Sequence, residues 1–486
     1  MTDHDNGSVV ALPGRVAVVN VGLKLFGDAV RSQGAAAVDV DWRIPAGGDP
    51  GLVAALIKTY GASSERVDRA NAEVCRRLDS AAPVLIGLAT ARDVVPGMGD
   101  RTLLHPGPPV AWEDVCDPLR RSARVAVMAE GWAATPKAAE ALIASGNVDL
   151  QPANEHATVG PMATVLGPSA PVFVVENPQG GGPQGNRAFA GINQGPGAAP
   201  WFGVETPDAV ARVVLLREAV RPVLESAIAA TIEAGGPIDV FSVAAQGLQM
   251  GDDAHMRTQA CTNLLVRALL PGLVAADGDR GVEVARFLAT NHLLFLNIVM
   301  AAAKATSDWA SLVPGSTIVT GMARNGTTFG VKVAGIDRWF SAPAPDVGQA
   351  LFHPGYGPAD AAPDIGDSAV LETLGLGGAA AAASPAVATF LGGKMAGAVA
   401  ATRAMESICA GHSTRFRIPY LDFSGSPVGI DLRRVVTLEV TPGITTGILD
   451  ASQGRGQVGA GVATAPLAAF QAALLGVAES LGGVKA

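Results

Sequence analysis

Side chains able to bind ligands or move protons crowd one stretch, FHPGYGPADAAPDIGDSAVLETLGLGG, which holds His353, Tyr356, Asp360, Asp364, Asp367, Ser368 and Glu372 among prolines and glycines. A Pro/Gly-rich loop keeps its backbone close to a ligand while exposing polar side chains. Just upstream, MARNGTTFG places Arg324 and Asn325 at a turn between two apolar runs. Plainer readings stand beside these. Asn-Gly is the favoured pair for a type I′ hairpin turn. Asp367 or Ser368 sits where a helix N-cap is expected, with Glu372 one residue too far for a capping box. The same helix N-terminus, opening onto a cleft, offers N–H donors to an anion. His353 with Asp360, Asp364 and Asp367 has ligand types that suit a divalent metal, without the spacing of an established motif.

Three further groups carry polar chemistry. QGLQMGDDAHMRTQACTNLLVRALLP reads as helix, with Asp252, His255 and Gln259 on one face and Arg257 and Asn263 on others; a solvated face is the bland alternative. Asn291, His292 and Asn297 lie inside the most apolar run, residues 287–305, so they need buried partners or line a pocket. ANEHATVGP sets Asn154, Glu155 and His156 before a turn, and Asn193 follows in a glycine-rich loop. Asn20 ends the first apolar strand, at the edge where α/β sheets bind ligands, yet GxGxxG is absent there and no dinucleotide cofactor is inferred. Ser413-Thr414-Arg415-Phe416 is close to the Ser-Thr-Arg-Thr phosphate motif of other carbamoyltransferases but has the wrong fourth residue and opens no apolar helix. No P-loop, G-x-S-x-G or HExxH occurs.

The elements that must position these residues follow from composition and pattern. With 486 residues, 49% hydrophobic and 16% charged, the chain suits two or three domains with large buried layers. A net charge of −9 supplies no global field for nucleic acid or an anionic membrane, so an anionic substrate must be held by local Arg, Lys and N–H groups. The polar N-terminus is unlike a signal peptide, and residues 287–305 read as a buried amphipathic helix, not a membrane span. Four scattered cysteines with no CxxC read as cytosolic thiols.

Apolar runs at 15–22, 36–42, 83–90, 124–131 and 171–177 alternate with helical patterns. They argue for an α/β fold with a mostly parallel N-terminal sheet and helices on both faces. Residues 177–203 break the pattern as a linker or site loop. Residues 206–309 read as helical. Strands return at STIVTGMA, TTFGVKVAG and RWFSAPA, then helices at 368–383 and 396–410, a strand at VVTLEVT and a last helix from Ala465. The expected units are an α/β domain (1–205), a helical segment (206–312) and a mixed α+β C-terminal domain (313–486).

The wordings NVGLKLFGDAVRSQGAAAVDVDWRIPAGGD, QMGDDAHMR, PGSTIVTGMARNGTTFGVKVAG, FHPGYGPADAAPDIGDSAVLETLGLGG and FSGSPVGIDLRRVV resemble the YlbE-like family over nearly the whole chain. One branch of that family is a subunit of the heteromeric oxamate carbamoyltransferase of anaerobic allantoin degradation. The resemblance implies a cytoplasmic enzyme subunit interconverting oxalurate plus phosphate with oxamate plus carbamoyl phosphate. It also implies partner subunits, one of them of FdrA type; a homo-oligomer and no cofactor are further expectations. Carbamoyl transfer passes through a tetrahedral oxyanion and must hold two anions. On that basis Arg324 is expected to grip carboxylate or phosphate, His353 to polarise the carbonyl, and Asp364 or Asp367 to orient it. Asn325 is expected to donate to the oxyanion. Asn20, His156, Asn193, His255, Asn291, His292, Ser368 and Glu372 are the expected substrate-binding set. The resemblance departs at Asn154-Glu155-His156, where histidine-rich wording is expected. Another ureido-acid or amide enzyme and a non-catalytic scaffold are the alternatives.

Overall fold

Strand, helix, strand is the order at the start of the computed structural model, which describes residues 16–40, 44–181, 185–276 and 278–482. Strands Ala17–Val21 and Ala36–Val40 pair in parallel beside the helix Lys24–Ser32. The parts of these runs at Arg15 and residues 41–42 lie outside the described residues.

Five strands form the main sheet, in the order Thr158–Val159, Asn186–Gly191, Pro171–Asn177, Val84–Thr90, Ile238–Asp239. The fold is mixed α/β as expected, but its N-terminal sheet is not mostly parallel. Only the pair 158–159 with 186–191 is parallel in this sheet, and its other pairings are antiparallel. The difference comes from burial. Pro171–Asn177 is buried along nearly its whole length, and a strand covered on both faces is uniformly apolar whichever way its neighbour runs. Asn186–Gly191 lies inside the stretch expected to be irregular.

Across strands 171–177 and 186–191 packs the helix Leu294–Ser311, almost wholly buried. The largest core joins Phe173, Phe295, Val370 and Phe416, so distant stretches of chain share one apolar interior. No single helix among the described residues is long and apolar enough to cross a membrane. The run expected as one helix is instead two, Arg280–Thr290 and Leu294–Ser311, bent by 76° at the break between them.

Two other apolar runs expected as strands are helices. Residues 124–129 close the helix Asp117–Ala129, which Pro118 opens in its first turn; its polar stripe of Asp117, Arg120, Arg121 and Arg124 ends where the apolar run begins, so the run alone shows no helical period. The first four residues of VVTLEVT, 435–438, end the helix Leu432–Leu438, where the Asp431 side chain caps Arg433 N at 2.9 Å. The helix expected over 368–383 is only Val370–Thr373 followed by a kinked 3-10 stretch, Gly377–Ala383. Gly375 and Gly377, at φ 88° and 59°, break it. The 246–271 segment is also interrupted: helix Val240–Gln249 stops, and Gln259–Ala275 begins after a turn containing Gly251 and Ala254 at positive φ. Asp252 and His255 are therefore on a turn, not a helix face.

The C-terminal part holds an antiparallel sheet ordered Ile336–Pro343, Thr328–Val333, Val319–Asn325, Ile365–Gly366, and a second ordered Gln349–Phe352, Gln457–Thr464, Gly443–Leu449. At the 325–328 turn only Gly326 has positive φ, so the turn is not type I′. Asn325 Oδ1 instead accepts from Thr327 N and Thr328 N at 3.0 and 2.6 Å.

His105 ends the strand Thr102–His105 fully buried, with Nδ1 2.8 Å from Pro106 O and no partner for Nε2. Burial lowers its pKa to about 4. The unfolded chain takes up this proton near the ordinary histidine value, whereas the folded protein resists it until about 4, so stability falls as pH drops through that window. The His105→Gln variant should lose an acid-side slope of about 3 kcal/mol between those limits, read from denaturant midpoints against pH.

Candidate functional site

Where the glycine-rich loops at 193–198 and 454–457 meet the helix break at 291–293, a cleft of about 440 Å³ opens. Its walls include Asn193, Asn291, His292, His353, Arg455 and Gln457. A chamber of about 40 Å³ adjoins it, sharing Trp201, Phe202, Leu293 and Gln457 and lined also by His255, Ser368 and Thr446. Of the residues expected to bind substrate, these two spaces gather Asn193, Asn291, His292, His255 and Ser368, with His353 at the rim.

The break in the apolar helix puts amides at the cleft. Asn193 Nδ2 donates to Asn297 Oδ1 at 2.9 Å, Asn291 Nδ2 to Asn193 O at 2.9 Å, and Asn297 Nδ2 to Gly191 O at 2.7 Å. The His292 carbonyl accepts from Thr258 and Thr262, both at 3.0 Å. Burial lowers the His292 pKa, so its imidazole favours the neutral form.

His255 is placed by its own turn. The buried Asp253 carboxylate accepts from the backbone N–H groups of His255, Met256 and Arg257 at 3.2, 3.3 and 2.7 Å. Its Nδ1 lies 2.8 Å from Glu372 Oε1. Glu372 has no exposure; Oε1 also accepts from Gly378 N at 3.1 Å, and Oε2 has no partner.

Arg324 and Asp364 face each other with no solvent exposure of either side chain. Nε and Nη2 reach the two carboxylate oxygens at 2.7 and 2.8 Å. Nη1 donates to Gly366 O at 2.7 Å and Ser368 Oγ at 3.3 Å, and Nη2 also reaches Thr446 Oγ1 at 3.3 Å. The side chain expected to grip an anion thus has its donors committed to protein, and touches the chamber only through Ser368 and Thr446. Asp367 caps no helix: Ala369 occupies that position without a side-chain bond. The Asp367 carboxylate instead accepts from Gly107 N, Gly160 N and Asn154 Nδ2 at 2.8, 2.9 and 2.9 Å, and burial raises its pKa to about 6 despite those donors. Asn325, equally buried, donates to Pro108 O at 2.9 Å. These residues join loop to strand behind the chamber.

Arg455 was not among the expected residues; the only signal was an arginine flanked by glycines, SQGRGQ, between two strands. It lies over the Tyr356 ring at 4.9 Å, reaches Asp450 from Nε at 2.7 Å and Asp360 from Nη2 at 2.6 Å, and among the described residues Nη1 has no partner. Burial raises the Asp450 pKa, but the bonds from Arg455 and Ser452 outweigh it and hold it at about 2. The side chains weighed as a metal set go to separate partners: Asp360 to Arg455, Asp364 to Arg324, Asp367 to backbone. Among the described residues no group of three or more His, Cys, Asp or Glu is placed to hold a metal.

Asn20 and His156 lie outside both spaces. Asn20 Nδ2 donates to Asp39 Oδ1 at 2.7 Å, and His156 Nδ1 lies 2.7 Å from Pro96 O. A separate groove of about 840 Å³ is lined by Asn154, Lys304, Asp308, Lys332, Asp337 and Arg338 among others, its cations offset by carboxylates.

Fold and geometry together define a mixed α/β protein with a ligand-sized cleft carrying a few polar groups and a buried imidazole–carboxylate pair beside it. A family model described as oxamate carbamoyltransferase subunit AllG matches residues 148–368. The chain is 39% identical to oxamate carbamoyltransferase subunit AllG of Escherichia coli (strain K12), over 86% of this chain and 99% of that protein. It belongs to that family. It is also 36% identical to the uncharacterized protein YahG of the same organism, over 96% of this chain and 98% of YahG. A crystal structure of a conserved protein of unknown function from Enterococcus faecalis V583 superposes with a TM-score of 0.82 at 35% identity, covering 86% of this chain and 99% of that one.

If the Arg324–Asp364 pair is framework, removing either partner strands a buried charge. Arg324→Met and Asp364→Leu should each cost about 3–5 kcal/mol, and the double variant should recover much of the loss. Equilibrium unfolding of the three variants checks this.

Proposed function

We propose that this chain is the substrate-binding subunit of a carbamoyltransferase that interconverts oxalurate plus phosphate with oxamate plus carbamoyl phosphate. The observation that carries the reading is the gathering of Asn193, Asn291, His292, His353 and Arg455 around one cleft, next to a chamber walled by His255, Ser368 and Thr446. Kinship with a named oxamate carbamoyltransferase subunit supports the substrate class. Amides and imidazoles suit a ureido group, which presents N–H donors and carbonyl acceptors in alternation. The chamber has room for a few heavy atoms, the size of a carbamoyl group.

Charge limits what the cleft does alone. Arg455 is its one cation among the described lining residues, and Asp450 and Asp360 already neutralise it. Holding oxamate and phosphate together takes further donors, which fits a subunit that works with partners, an FdrA-type protein and further copies of this chain among them. Ser368, whose oxygen accepts from Arg324, keeps its own proton to donate to the oxyanion, while Thr446 gives its proton to Asp364 and braces that wall. Asn325, Asp364 and Asp367 then position these groups without touching substrate. The setting proposed is cytoplasmic purine catabolism, downstream of allantoin.

Reconstitution tests the reading. The chain with FdrA-type partners should form carbamoyl phosphate from oxalurate and phosphate, trapped by carbamate kinase and ADP; partner subunits with equal activity in its absence would make it a scaffold. Arg455→Gln should raise KM for oxamate roughly tenfold, the lower range for a hydrogen bond to a charged group, while inhibition by neutral oxamide stays unchanged.

A further inference from the structure

We infer that His255 is the acid–base catalytic residue of the transfer and Glu372 the residue that positions it, an assignment that rests on the carbamoyl-transfer reading of the cleft. Among the described residues two histidines pair with a carboxylate. His412, bonded to Glu406, is half exposed and on no cleft wall; His255 is buried and lines the chamber. His292 and His353 line the cleft with no carboxylate partner.

The pair is built in. Glu372 Oε1 takes the His255 Nδ1 contact together with Gly378 N and Thr445 N, at 3.1 and 3.4 Å. An ionised carboxylate only accepts, so Nδ1 carries the proton and Nε2 keeps its lone pair. Among the described residues Nε2 has no partner, and it is not sealed off as His105 Nε2 is, which leaves it open to the chamber beside Ser368 and Thr446. Gly377, at φ 59°, lets the chain pass over the pair: a Cβ there would meet Glu372 Oε1 at 2.2 Å and His255 Nδ1 at 2.9 Å. Gly377 N is tied to Asp253 O at 2.8 Å, so the turn that carries His255 and the loop that covers Glu372 are locked to each other.

The step balances without an outside proton. A phosphate oxygen bonds to the carbamoyl carbon of oxalurate, and the bond from that carbon to the oxamate nitrogen breaks. Nε2 takes the proton of hydrogenphosphate and returns it to the departing nitrogen, so the imidazole ends as it began. Glu372 holds the ring and stabilises the imidazolium between the two transfers.

The test uses the assembled complex and oxalurate phosphorolysis. His255→Gln should lower kcat by about 10²- to 10⁴-fold with KM for oxalurate nearly unchanged, and flatten the pH–kcat profile. Glu372→Gln should show the same split more weakly. His255→Ala should regain activity with added imidazole. Gly377→Ala, which keeps both side chains chemically intact, should lower kcat by pushing them apart. Wild-type kcat and pH profile in His255→Gln would overturn the assignment alone; absence of carbamoyl transfer by the wild-type complex would overturn the reading beneath it. Should the variants fail to assemble, ¹⁵N NMR of wild-type imidazoles decides: Nδ1–H at His255 supports the pair, and the Nε2–H tautomer overturns it.

Discussion

A guanidinium and a carboxylate shut away from water are tolerable only when each satisfies the other completely, and the Arg324–Asp364 pair meets that condition. Two parallel bonds neutralise the charge, and the remaining donors go to Gly366 O, Ser368 Oγ and Thr446 Oγ1. Those contacts fix the small strand Ile365–Gly366 against Val319–Asn325 and hold two hydroxyls at the chamber wall. One turn on, Asp367 draws in the loops at Gly107 and Gly160. Much of the polar stretch that dominates the sequence is thus frame, and it meets the cleft and chamber only at His353 and Ser368.

The cleft itself owes its shape to interruptions. Leu294–Ser311 is apolar enough to continue the preceding helix, but the chain bends at 291–293, bringing Asn291 and His292 to the cleft wall. The turn at 250–258 interrupts another helical run and aims His255 at the chamber. Irregular backbone is costly where it is buried, and here its groups are met by Asp253, Thr258 and Thr262.

Local patterns made much of this legible. The strands at 17–21, 84–90 and 171–177, the long helical region and the hairpin at Arg324–Asn325 follow from apolar runs and turn residues. The asparagines and histidine in the most apolar run announced a pocket or a buried network, and they take part in both. Strand direction did not follow, because buried strands look alike either way. Arg324 reads as an anion grip because no local rule shows that Asp364 folds back onto it. Arg455 has no such reading: a single arginine between glycines becomes conspicuous only when Tyr356, Asp360 and Asp450 converge on it.

Locating the ligand tests this division between frame and site most directly. In a crystal of the assembled complex soaked with oxamate, density should lie in the cleft between Asn193, His292 and Arg455, its nitrogen toward the His255 chamber, with the Arg324–Asp364 pair unmoved. Density in the groove beside Lys304 and Lys332, or on a partner subunit with this cleft vacant, would contradict it.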